Sequence, residues 1–73
     1  MIKDKLIAEG VSKLMLEFGG RLDNSIAAVR EGCSDEEFRA YRLAVDKILA
    51  EMLLEVMNPL YREHPDLKPA GLG

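Results

Sequence analysis

The sequence predicts an all-α fold: a hairpin of two long helices and a short C-terminal turn, dimerising into a four-helix bundle. Three observations carry that prediction. Apolar residues recur at intervals of three and four, the helical period, and hardly anywhere at two. A serine-led capping signature near the middle divides the chain into two helical stretches. The second stretch is apolar around most of its circumference, more than a single neighbouring helix can cover.

The first stretch reads as one amphipathic helix from about Lys3 to Glu31. Ile7, Val11, Leu14, Phe18, Leu22, Ile26 and Val29 form its stripe, flanked by Ile2, Leu6 and Met15. That stripe keeps phase across Gly19 and Gly20, although each glycine costs roughly 1 kcal/mol relative to Ala inside a helix. Glu9 to Lys13 and Glu17 to Arg21 are acid-before-base pairs four residues apart, and the second pair spans the glycines. A helix continuous there, or bent at Gly19, is expected.

Gly32 suits the position just past a helix end, and Ser34 with Glu37 makes an S-x-x-E capping box for a second helix starting at Asp35. Asp35, Glu36 and Glu37 fill its first turn, where acids favour the helix dipole. Cys33 and Phe38 stand at the positions of a hydrophobic staple, which gives the lone cysteine a packing role in preference to a reactive one. Phe38, Tyr41, Val45, Ile48, Met52 and Val56 make the main stripe of this helix, which is expected to run to about Met57. Leu49, Ala50, Leu53 and Leu54 widen the stripe until Glu51 and Glu55 are the only polar residues from Ile48 to Met57. A lone hairpin would leave a large apolar patch in water, which monomers rarely tolerate. Ile48, Leu49, Met52, Leu53, Val56 and Met57 are therefore the expected dimer interface.

Asn58-Pro59 should end or kink the helix, because the residue before a proline is pushed out of the α region. A short turn over 59–64 and an extended tail over 65–73, rich in Pro and Gly and either wrapped on the bundle or disordered, complete the single domain 1–73.

With 73 residues, 48% apolar and 32% charged, the chain is too short for two cores and too apolar for disorder. A domain of this size buries only about 60% of its unfolded surface, so it needs a supplement, and self-association supplies one without disulfides or metal. Ten Lys and Arg face thirteen Asp and Glu, and all of the net charge of −3 comes from residues 34–73. No cationic run stands ready to displace counterions, which argues against direct nucleic-acid binding. Asp4 and Glu9 interrupt any secretion signal, and every apolar run is cut short of a membrane span. A single cysteine fits a reducing cytoplasm.

Constellations for chemistry are sparse, and a non-enzymatic protein without cofactor or bound metal is expected. His64 lies far from Cys33 in sequence and reads as a surface or turn residue. Glu51 and Glu55 share one face, as bundle metal carboxylates do, but no E-x-x-H companion accompanies them, and with Lys47 they read as a solvated stripe. Met15, Met52 and Met57 read as core fillers, with an adaptable partner groove as the other reading. Arg39 and Arg42 read as solvated. Gly19-Gly20 lacks the strand-loop-helix setting of a phosphate loop and suits close approach by a neighbouring helix.

Ser34-Asp35-Glu36-Glu37-Phe38, then Tyr41, Ala44, Asp46 and Leu49-Ala50-Glu51, resemble a helix of the Hha/YmoA family of small helical modulators that bind the H-NS nucleoid protein. Asn58, Leu60, Tyr61 and Pro65 resemble that family's ending after a three-residue insertion, and the likeness covers about a third of the chain. It implies a protein partner, with Asp46 at the family's partner-binding aspartate. The expected function is a protein–protein interaction module, self-associating and able to take a further protein partner. The alternative is a small-molecule or metal-binding bundle using Glu51, Glu55 and His64.

Overall fold

In a computed structural model, which describes residues 1–71, the chain is an all-α helical hairpin. Asp4 opens the first helix, its carboxylate accepting the Ile7 N–H at 3.0 Å. From there α1, Lys5–Gly32, runs uninterrupted through Gly19 and Gly20. Gly32 is its last helical residue and not the left-handed cap expected, since no described residue has positive φ. Instead α1 ends in extended backbone at Cys33, whose N–H donates to the Val29 carbonyl at 3.0 Å.

The capping box forms as its residues predict. Glu37 N–H donates to Ser34 Oγ at 3.2 Å and Ser34 N–H donates to Glu37 Oε1 at 3.1 Å, launching α2, Asp35–Glu51. Of the two residues of the expected staple, Cys33 is exposed and Phe38 half-buried, and Phe38 carries the Arg30 guanidinium 4.9 Å from its ring centre.

Asn58-Pro59 does not break the helix. A π-helical segment, Met52–Met57, follows α2 directly, Asn58 is itself helical (φ −61°, ψ −48°), and α3, Asn58–Glu63, continues to His64. Pro59 has no N–H to donate and its ring crowds the carbonyl one turn back, so the wider winding just before it relieves the conflict that a strict α-helix would meet. That extra residue also rotates everything beyond it by about 100°. In unbroken α geometry Met57, twelve residues past buried Val45, would point about 120° away from α1. The π segment instead turns Met57, Leu60 and Tyr61 inward, to 7%, 0% and 5% exposure.

These three join Ala8 in the core, with Ile2, Val11, Met15 and Leu67 packed around them at the open end of the hairpin. Leu67 arrives on a 3₁₀ turn, Pro65–Leu67, so the tail is wrapped to that point instead of extended. The last two residues of the expected tail, 72 and 73, lie outside the described residues.

Candidate interaction surface

Two hydroxyl pairs set how α1 lies on its neighbours. Ser12 Oγ and Tyr61 Oη meet at 2.6 Å with both residues buried, joining α1 to α3. Nearer the hairpin tip, Ser25 gives its one proton to the Leu22 carbonyl at 2.6 Å, so Tyr41 donates to Ser25 Oγ, also at 2.6 Å. Between them a Cβ on Gly19 would stand 3.7 Å from the Leu49 Cδ2 atom, ordinary contact, so α1 and α2 are close here.

The side of α1 turned to its neighbours is therefore Ala8, Ser12, Met15 and Gly19, mostly small residues. This corrects the stripe expected from periodicity at one edge: Val11, Leu22, Ile26 and Val29 are half-buried as expected. Ile7, Leu14 and Phe18, on that edge, are 60%, 56% and 49% exposed. Phe18 lies seven residues before Ser25, and Ile48 seven after Tyr41. Seven residues are about two turns, so in an antiparallel pair Phe18 and Ile48 share the Ser25–Tyr41 flank at one level along the hairpin. Ile48 is 45% exposed.

The opposite flank holds a groove of about 400 Å³ floored by Met15, Gly19, Leu49 and Met52, with Leu16, Gly20 and Leu53 on its walls. Of the six residues expected at a dimer interface, Ile48 and Leu53 are exposed, whereas Leu49, Met52 and Val56 are half-buried. Met57 lies inside the chain's own core, because the π segment rotated it there. Sequence periodicity thus missed Leu14 and Phe18 as surface residues; their only distinguishing signal was that small Ala8, Ser12 and Gly19 lay beside them, free to face α2.

Asp46 is exposed on α2. Glu51 and Glu55 are exposed as well, and among the described residues no three His, Cys, Asp or Glu side chains gather as a metal set. His64 is half-buried and its Nε2 donates to the Ile2 carbonyl at 2.6 Å, tying the N-terminal residues to the end of α3. Around it the Met1 amino group meets Glu63 at 2.7 Å and Lys5 pairs with Asp66. The hydrogen bond from the amino group holds the Glu63 carboxyl below its ordinary range, and the one from Lys5 does the same for Asp66.

The molecule measures 44 × 19 × 16 Å with a radius of gyration of 14.4 Å, against about 11 Å for a compact chain of its length. Its accessible surface is 5338 Å², where a compact monomer of 8.1 kDa has about 4,500 Å². Fold and surface together define an all-α helical hairpin with two apolar flanks. No family model, curated protein or solved structure matches the chain. Among the described residues, no helix is long and apolar enough to cross a membrane.

Proposed function

We propose that the protein is a small non-enzymatic interaction module that works as a homodimer of hairpins in a four-helix bundle. The observation that supports this is the surface excess of roughly 800 Å² over a compact monomer, about one partner's share of a standard protein interface. Large apolar side chains on both flanks give that surface its chemistry. A cytoplasmic setting belongs to the same proposal and rests on one exposed cysteine without an intrachain disulfide partner. A further protein partner belongs to it too: exposed Asp46 is accessible for the contact that the Hha/YmoA resemblance implies.

The test is mass in solution. Sedimentation should give twice the 8.1 kDa chain mass at micromolar concentration, and the melting temperature should rise with concentration. A well-folded monomer at such concentrations would overturn the proposal. The alternative, a small-molecule binder, draws support from the groove, whose volume falls in the ligand range of about 300–1,000 Å³ and whose one charged lining group is Asp23. Apolar fragments that raise the melting temperature of wild type but not of Gly20→Phe would favour it.

A further inference from the structure

The apolar stripe of a two-helix hairpin ordinarily points at the partner helix, yet here one edge of the α1 stripe points past it, while Val11, Leu22, Ile26 and Val29 are half-buried. Ala8, Ser12 and Gly19 face the rest of the chain, while Ile7, Leu14 and Phe18 stand in solvent along one line. At those three positions about half or more of each large apolar residue is left uncovered by the hairpin. The Ser25–Tyr41 hydrogen bond marks the flank they occupy, and Ile48 lies on it level with Phe18.

Resting on the dimer reading above, we infer that the second copy of this chain packs on the flank formed by Leu14 and Phe18 of α1 and Ile48 of α2, and not around Leu53. Two features select a copy of the chain as the occupant, and a third selects the flank. The excess surface is close to what each partner contributes to a standard interface, about 800 Å². Both charge signs border the flank: Glu17 and Arg21 follow Leu14 and Phe18 by three residues, and Glu51 follows Ile48 by three. A border of mixed sign does not repel its own image, as an all-acidic one would. Finally, the competing flank has less to hide, since Leu16 and Leu53 are 40% and 37% exposed against 56% and 49% for Leu14 and Phe18.

The chain contains no tryptophan, so a single introduced indole reports on one site alone. Phe18→Trp and Leu53→Trp place that reporter on the two flanks. Diluting each variant from about 100 µM to nanomolar, with mass followed by sedimentation, should red-shift the emission of Phe18→Trp as dimers dissociate. Phe18→Ala should raise the dimer dissociation constant by about thirtyfold or more, with Leu53→Ala changing it by less than about threefold. Circular dichroism of the alanine variants at the highest concentration checks that both remain folded, and the fluorescence readout stands if either does not. An emission shift in Phe18→Trp that tracks dissociation, with Leu53→Trp unshifted, upholds the inference, whereas a shift in both places Leu53 in the interface and overturns it. Dimers whose dissociation shifts the emission of Leu53→Trp but not of Phe18→Trp, or of neither, overturn it and leave the dimer reading intact. A monomer throughout the range overturns both.

Discussion

Ser12 is a hydroxyl at 4% exposure in the middle of an otherwise apolar contact, and it is tolerable there only because Tyr61 meets it. Tyr61→Phe should therefore cost about 1–3 kcal/mol in urea unfolding, since it leaves Ser12 buried without its cross-helix partner. Adding Ser12→Ala should recover much of the loss, because removing both partners leaves nothing unanswered; a double-mutant cycle measures the coupling. The sequence offered no hint of this pair, as periodicity weighs apolar residues and counts a buried serine as surface. Ser34, by contrast, was legible, because a capping box is a local arrangement that needs nothing from elsewhere in the fold. Ser34→Ala should cost about 1 kcal/mol. The backbone N–H and hydroxyl of Ser34 hold the Glu37 carboxyl below its ordinary value of 4.5, so the carboxylate half of the box is fully present above pH 4.5 and is lost as pH falls through the lowered value, while the bond from the Glu37 N–H to Ser34 Oγ does not titrate. Amide exchange at Ser34 should accordingly lose protection in acid, and Glu37→Gln should flatten that dependence.

At the scale of elements, both long helices and the boundary between them could be read from the sequence, whereas the π segment could not. Asn58-Pro59 is a sound local stop signal, and what overrides it is tertiary: only a rotated α3 can bring Met57, Leu60 and Tyr61 onto Ala8. The same limit applied to α1. Periodicity showed that Leu14 and Phe18 belong to an apolar stripe, but not that α2 would approach along the small-residue edge beside it. The glycines offer a direct check. A Cβ on Gly20 would meet nothing within 4 Å and one on Gly19 only ordinary contact, so neither glycine is required by the packing of the single chain. Gly20→Ala should therefore stabilise α1 by up to about 1 kcal/mol, seen as a melting temperature roughly 4–8 °C higher. A loss of stability or of dimer would mean that another molecule lies against that position.

For the whole molecule, the decisive property is where the core sits. Most of it lies at the open end, where residues 2–15 meet residues 57–67, with buried Val45 apart from that cluster and the tip held by Ser25–Tyr41 and by Arg30 over Phe38. Hydrogen exchange should rank the ends accordingly, with the slowest amides around Ala8 and Leu60 and faster ones around Gly32. The arrangement also bears on how the chain is made. Synthesis proceeds at about 5–20 residues per second from the N-terminus, so α1 is made before Met57, Leu60 and Tyr61, the residues that complete the core with Ala8. Until Leu67 clears the ribosome, Ile7, Leu14 and Phe18 are exposed with no finished core behind them. If the proposed dimer forms through those side chains, neighbouring chains on one message meet that surface before the core of either is closed.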